Sequence, residues 1–472
     1  MNPKYLTLII AAALSAASMS ANASGYRFGS QSVAGQGTAD ANGAEAADAS
    51  TIFANPAGLT RLDGVQFSGG ITAVVPHSTY QDAGSKRFTG TSTGGLTMQD
   101  SYAPEVVAAP SLYFSKKLDD SWTVGIGTFV PYGAKLSYDN NWSGRYALTD
   151  IDLKSVAINP SVGFKLDERH SFGFGITAEF MKAKLGQGVD VPGSVQALAA
   201  FPERRADLIK HIMAGGGNPA ELANIKDGHA TMDGKDFGFG FNIGYLFNLN
   251  KDTRFGLAYR SSIRHELKGG AIWDFSKVTG DQVVNKVIQA SSRKTNSPAL
   301  VEVKTPDTLS ANVFSQIDDK LALMGDVTWS RHSRLSNLNI QFVGTGEGDE
   351  VIRQNWKNTL RASVGMNYKL NDAVLLRAGL ALDESPVPNG SYRHAALPDS
   401  DRTQVSFGAN WKLNAHSSVD LAYSYLKFDD ASSTYKNNCN PLITGCTGNG
   451  ETTVGTWRTH MQLIGLSYNY KF

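Results

Sequence analysis

The chain carries only two cysteines in 472 residues, only 18% charged residues, and almost no excess of either sign. Two cysteines cannot build a disulfide framework or a multi-cysteine metal centre. With 44 Lys and Arg against 43 Asp and Glu there is no basic surface for phosphate, so a nucleic-acid partner is not expected. Past residue 23 no run of 18 apolar residues occurs, which excludes a helical membrane protein. The nine His show no metal-ligand spacing and no nucleotide motif appears, so neither a metal nor a cofactor is expected.

The N-terminus does carry a message. Lys4 forms a positive start, Leu6 to Met19 is an apolar and small-residue run, and Ala21-Asn22-Ala23 reads as a cleavage site. Residues 1–23 are therefore predicted to be a signal peptide and Ser24 the mature start. A membrane anchor is the rival reading, which the shortness of the run and its Ala and Ser content disfavour. Losing Lys4 with the leader makes basic and acidic residues equal in number.

Gly 48, Phe 22, Tyr 17 and Trp 7 make the chain rich in glycine and aromatics. A soluble β-solenoid or a two-lobed periplasmic binding protein has similar numbers, so periodicity must choose. From Phe237 the odd positions are Phe237, Phe239, Phe241, Ile243, Tyr245 and Phe247, while the even ones are Gly238, Gly240, Asn242, Gly244, Leu246 and Asn248. A period of two with large apolar groups on one face and small or polar ones on the other suits a strand between lipid and lumen. The pattern recurs at Val65, Phe67, Ile71, Ala73, Val75, at Phe172, Phe174, Ile176, Phe180, and at Phe255, Leu257, Tyr259.

Strands are predicted at about 64–79, 104–117, 121–138, 150–166, 171–184, 236–249, 253–268, 305–318, 320–335, 354–370, 373–386, 402–413, 417–430 and 453–472, within about ±2–4 residues at each end. The links alternate between tight turns, such as Asp167-Glu168-Arg169 and Asn250-Lys251-Asp252, and long segments. Fourteen antiparallel strands with short turns at one rim and long loops at the other describe an outer-membrane barrel, with both chain ends on the periplasmic side. Closure leaves no unpaired strand edge in lipid. The last strand ends in Tyr468, Tyr470 and Phe472, a terminal aromatic that resembles the signal read by the barrel-assembly machinery. The fold expected is all-β, with residues 64–472 as the barrel.

Residues 24–63 are dominated by Ala, Gly, Ser and Asp and lack alternation. They read either as a disordered tail or as a compact plug within the lumen. Ile52, Phe53, Pro56 and Leu59 favour the plug by offering apolar anchors and a fixed turn.

Several segments then carry a resemblance. They are ADASTIFANPAGLTRL, Val130-Pro131-Tyr132-Gly133, Trp142-Ser143-Gly144-Arg145-Tyr146, Ile158-Asn159-Pro160, Tyr259-Arg260-Ser261-Ser262-Ile263, Gly325 to Ser330, Asp383 to Pro388 and Leu397 to Arg402. In this order over the mature chain, they resemble the FadL-type outer-membrane transporters of long-chain fatty acids, a family that also includes importers of aromatic hydrocarbons. The resemblance implies a fourteen-stranded barrel with an N-terminal hatch. It also implies capture at an outer apolar groove, a tighter internal site, hatch movement, and lateral exit into outer-membrane lipid where the third strand is kinked.

Pro131 and Gly133 lie in that strand. Pro removes a ladder donor and Gly weakens pairing, so a bulge at Pro131-Tyr132-Gly133 is expected on physical grounds, and a lipid-facing bulge of no consequence is the plainer reading. The resemblance makes this the gate, with Asn55-Pro56-Ala57 of the hatch packed behind it. In the 185–235 loop, Glu203 to Ala214 reads as a helix with Leu208, Ile209, Ile212 and Met213 on one face, and Pro219 to Ile225 as a second. That face either covers the barrel mouth or binds an acyl chain. A carboxylate ligand calls for a cation. Arg353 and Lys357 are the first candidates, with the register there open by one, followed by Arg361 and Arg377. Structural pairing with Asp is the alternative for each, and a neutral hydrocarbon needs none.

Gly90-Thr91-Ser92-Thr93-Gly94 matches a nucleophile elbow in letters only, since it lies in a polar loop without the strand-turn-helix context. An enzyme, such as an outer-membrane lipase, is not expected. A general porin is closer, and a plugged lumen argues against it. Cys439 and Cys446 share the last outer loop and, in an oxidising compartment, are expected to pair.

Overall fold

The computed structural model describes residues 26–345, 348–443 and 445–472. The predicted signal peptide lies outside the described residues. The described chain forms one closed, antiparallel barrel of fourteen strands. In chain order these are β1 (Val65–Asp82), β2 (Val107–Lys117), β3 (Trp122–Phe129 and Gly133–Ser137), β4 (Asp150–Lys165), β5 (His170–Val189), β6 (Gly228–Asn248) and β7 (Thr253–Arg260 and Arg264–Asp274). There follow β8 (Ser297–Lys304 and Thr308–Gln316), β9 (Leu321–Ser330 and Asn337–Phe342), β10 (Glu350–Arg353 and Thr359–Lys369), β11 (Val374–Asp383), β12 (Arg402–Lys412), β13 (Ser417–Phe428 and Ala431–Lys436) and β14 (Thr452–Lys471). Closure is made by β14 on β1, in register from Gln66 with Lys471 to Asp82 with Gly455.

The alternation works as a two-solvent code. On β5 and β6, Phe172, Phe174, Ile176, Phe237, Phe239 and Phe241 face outward, 39–68% exposed to what is lipid in place, whereas Asn242 faces inward and is buried. An unpaired backbone group at this depth costs several kcal/mol, so pairing around the whole ring is what makes the crossing possible.

β5, β6 and β7 run beyond their predicted ends, and β8 starts before its own. The cause is visible in their outer ends, where Lys182, Lys184, Asp233, Lys235 and Lys268 occupy the outward face, so the apolar beat fades while the ladder continues. The connection between β5 and β6 holds α-helices at Val191–Ala197 and Pro202–Ala214 and a 3-10 turn at Pro219–Asn224. A helix at Gln282–Ser292, capped by Asp281, was not anticipated.

Residues from Tyr26 to Gly64 fill the lumen. Two short helices, Val33–Gly37 and Thr51–Ala54, and a 3-10 turn, Pro56–Arg61, are linked through Ala39, Ala41, Ala44 and Ala49, all wholly buried. Small side chains let this hatch lie against the wall, where its carbonyls meet wall cations and amides. Arg254 donates to Glu45 O at 2.6 Å, Arg361 to Ala39 O at 3.0 Å, and Arg260 to Phe53 O at 3.0 Å. Asn55 accepts from Ala57 N at 3.1 Å and donates to Tyr245 O at 3.1 Å. The Asn55-Pro56-Ala57 turn sits on glycines of the wall, because a Cβ at Gly173 would strike Pro56 and Ala57 and one at Gly244 would strike Asn55.

That seat gives a test. Gly173→Val should unseat the turn at an overpacking cost of about 1–3 kcal/mol while leaving the strand ladder paired. The mutant barrel is expected to keep its heat-modifiable gel mobility, with higher single-channel conductance and faster protease cleavage of residues 26–63. Wild-type conductance and cleavage would show that this contact does not hold the hatch.

Candidate functional site

The wall is incomplete at one place. β2 pairs with β3 from Lys117 opposite Thr123 to Leu112 opposite Thr128, and no further. Beyond the break the outer segment of β3, Gly133–Ser137, pairs with β4 alone. Val107 to Ser111 of β2 therefore have no partner on β3 among the described residues.

Backbone groups at the break are satisfied from inside. Phe28 N donates to Pro131 O at 2.9 Å and Gly133 N to Tyr26 O at 3.1 Å. The Gln31 side chain closes Val130 on both sides, donating to its carbonyl at 2.7 Å and accepting from its N–H at 3.1 Å. The first residues of the hatch thus replace β2 as the pairing partner. Asn55-Pro56-Ala57, expected behind the break, lies instead against β5, β6 and β7, because only their glycines leave room for the turn. Ile52 and Phe53 reach β3 in its place; the Phe53 ring is 5.0 Å from that of Phe129, edge to face.

Two cavities meet at this point. One, of about 580 Å³, runs from the hatch to the unpaired stretch, lined by Phe28, Val107, Ala109, Val130, Gly133 and Val156 among others. That size is in the range of small-molecule sites, about 300–1,000 Å³. The other, of about 100 Å³, lies nearer the outer rim between apolar side chains that include Met232, Leu267, Val301, Ile340 and Ile352. Tyr26, Ala134, Leu153 and Leu397 line both. The ring of Tyr26 lies 5.2 Å from Tyr132 and 5.7 Å from Trp356. Tyr26 Oη and Trp356 Nε1 are buried with no hydrogen-bond partner. Buried donors are nearly always satisfied, so these two orphans stand out, the first on a residue that lines both cavities and the second beside its ring.

The structure does not bring Arg353 and Lys357 to either cavity. Ile352, Gln354 and Trp356 are the buried residues of this stretch, so alternation turns the odd-numbered side chains away. Arg353 donates to Lys436 O at 2.9 Å. Lys357 is exposed near Asp401, a loop carboxyl pushed up to about 6 by burial and by Asp429. Arg361 holds Ala39 O and Arg377 pairs with the buried Asp420. Arg27, which sequence reading passed over, lines the large cavity, and among the described residues its side chain has no ion pair or hydrogen bond. The alternation of Tyr26 and Phe28 around it was the available signal.

In the outer crown, Leu208 and Ile212 are buried in a cluster with Val284 and Ile288 of the helix at Gln282–Ser292. They join two helices and are not open to a ligand; Ile209 is half-buried and Met213 is 64% exposed. Arg145 binds Asp227 at 2.6 Å and Trp142 stacks on Tyr138 at 4.0 Å, so that motif braces the crown. Cys439 and Cys446 are joined, with Cα atoms 5.6 Å apart. Ser92 Oγ accepts from Gly94 N at 3.1 Å, in a loop.

The family model described as "Outer membrane protein transport protein (OMPP1/FadL/TodX)" matches residues 14–472. The chain belongs to this family. It is 36% identical to a putative outer membrane protein of Neisseria meningitidis serogroup B, over 99% of this chain and 98% of the relative. It is 26% identical to the long-chain fatty acid transport protein of Escherichia coli K12, over 88% and 91% respectively. The crystal structure of a Pseudomonas aeruginosa FadL homologue superposes with a TM-score of 0.80 at 22% identity, covering 95% of this chain and 100% of that one, which shows the shared fold. The protein is an outer-membrane transporter of hydrophobic compounds.

Filling the smaller cavity tests its part in binding. Ala299, 7% exposed, lines it. Ala299→Phe should reduce binding of an apolar fluorescent ligand by about tenfold or more, with barrel assembly kept, since the ring takes the ligand's volume. Unchanged affinity would place the binding site elsewhere.

Proposed function

We propose that the protein takes up long-chain fatty acids, without catalysis, and releases them sideways through the wall beside β3. The observation that carries this reading is the unpaired stretch between Val107–Ser111 and Gly133–Ser137, which faces the large cavity. An acyl chain leaving there passes from an apolar cavity into lipid without crossing water, and each buried CH₂ is worth about 0.8 kcal/mol. The exposed Met213, not Leu208 or Ile212, is left for capture at the rim. Movement of the hatch during passage is part of this proposal, with Tyr26 to Gln31 as the gating strip next to Pro131, Tyr132 and Gly133.

The orphan donors favour an acid over an aromatic hydrocarbon, the second reading. Tyr26 Oη and, beside its ring, Trp356 Nε1 are of no use to a hydrocarbon, and Arg27 adds a cation on the lining of the large cavity. Tyr26→Phe keeps the ring and removes the donor. A hydrogen bond to a charged group is worth about 1.5–3 kcal/mol, so fatty-acid affinity should fall roughly ten- to a hundredfold, as it should for Arg27→Ala. Toluene affinity should be unchanged in Tyr26→Phe, and Arg353→Ala should affect neither ligand. Equal loss for acid and hydrocarbon would mean that Tyr26 shapes the cavity only.

The lateral route has its own test. Replacing Pro131 by Val and Gly133 by Thr restores a donor and strand propensity, which should extend the β2–β3 ladder and narrow the opening. Uptake of radiolabelled fatty acid by cells should drop at least about tenfold, with binding to purified protein kept, at equal barrel levels. Wild-type uptake by a correctly assembled mutant would favour passage down through the hatch.

A further inference from the structure

Four lysines stand side by side on the outside of the barrel. Lys154 of β4 is opposite Lys182 of β5, Lys182 is opposite Lys235 of β6, and Lys235 is opposite Lys268 of β7. All four are exposed on the lipid-facing side, Lys154 at 60% and Lys268 at 69% of the side chain. Strands lie about 4.8 Å apart, so each lysine has another as its nearest cross-strand neighbour, and directly opposed like charges destabilise a sheet.

The rows on either side show how unusual this one is. Toward the periplasm the next outward row is Val156, Phe180 and Phe237, and the one after it Ile158, Ala178 and Phe239. Toward the outside the next row is Lys135, Asp152, Lys184 and Asp233, whose charges alternate. Lys154 and Lys268 each have a carboxylate on their own strand, Asp152 at 3.4 Å and Glu266 at 3.0 Å. Among the described residues the side chains of Lys182 and Lys235 have no ion pair and no hydrogen bond. The row therefore keeps two uncompensated cations at its centre, directly above the apolar belt.

Its height fits one boundary of the membrane. From Lys154 to the inner turn after Lys165 is about eleven residues, the length that crosses a bilayer as a tilted strand. The lysines thus lie where the apolar core of the outer leaflet ends and its headgroups begin. Charged headgroups at such a level draw Lys strongly, and the pull acts within a Debye length.

We infer that this row is a binding site for a phosphorylated glycolipid of the outer leaflet, whose phosphates lie across Lys182 and Lys235 while its acyl chains lie on Val156, Phe180, Phe237 and Phe239. Phosphate bridging two opposed ammonium groups turns their repulsion into two charge-assisted contacts. The site rests on the outer-membrane location and adjoins the large cavity at Lys154 and Val156, but its phosphate contacts, Lys182 and Lys235, line neither cavity, so it holds whichever compound is carried.

The test uses the full-length barrel in detergent, stripped of lipid, with diphosphoryl lipid A as probe and native mass spectrometry as readout. Retention by K182Q/K235Q should fall about thirtyfold, from the attraction of roughly 1 kcal/mol per lysine near an anionic lipid surface. Lys184→Gln, in the alternating row, should retain the probe as wild type does, and so should Tyr26→Phe. Dephosphorylated lipid A should bind the wild type no better than it binds the mutant. Equal retention by wild type and K182Q/K235Q, both with normal heat-modifiable mobility, would overturn the inference. So would displacement of the probe by inorganic phosphate at equal concentration, or equally tight binding of phosphatidylglycerol, since neither is the glycolipid.

Discussion

Every backbone N–H and C=O at membrane depth must find a partner within the protein, and the rest of this structure depends on that requirement. It accounts for the full-length pairing of β14 with β1, which removes the last edge. It also makes the break in β3 a problem to be solved, since Pro131 has no N–H and Gly133–Ser137 turn away from β2. The solution comes from inside the lumen, where Tyr26, Phe28 and Gln31 supply the missing donors and acceptors. On the β3 side the gap is thus closed in hydrogen bonds from the hatch, while toward β2 it stays open, since Val107 to Ser111 have no partner on β3 among the described residues.

The same requirement explains the composition of the hatch. A segment that lies inside a barrel must meet inward-facing polar side chains closely, and bulky residues would hold it off. Ala39, Ala41, Ala44 and Ala49 have no solvent exposure, and the carbonyls around them accept from Arg254 and Arg361. Glycines of the wall complete the fit under Asn55-Pro56-Ala57. What looks in sequence like a polar, low-complexity stretch is thus a segment whose side chains are small because its main chain does the binding.

Much of the barrel was legible because lipid and lumen impose opposite demands at a period of two. Phe237 to Phe247 could hardly be anything but a strand, and all fourteen predicted strands correspond to one in the structure. Where the chain rises above the bilayer, the outer face turns charged and the signal vanishes, so β5 to β8 read too short. The inner site was less legible. Orientation at Arg353 hung on a one-residue register, and one residue reverses a side chain's direction. Leu208 and Ile212 have the spacing of an apolar helix face, but spacing does not say that the helix at Gln282–Ser292 covers it. Tyr26 to Gln31 gave almost no sign of their role, because pairing with a strand a hundred residues later leaves no local periodicity.

Tyr26 links the two halves of the site. Its carbonyl accepts from Gly133 N at the break, while its ring stands between the smaller apolar cavity and the larger one. The ring also touches Tyr132, the central residue of the break, and Trp356 of the opposite wall. A ligand that displaces this ring therefore acts on the residue that closes the wall's backbone bonds. In the proposed route binding and opening thus meet in one residue but on different atoms, the ring toward the cavities and the carbonyl toward the break, so each can be altered without the other.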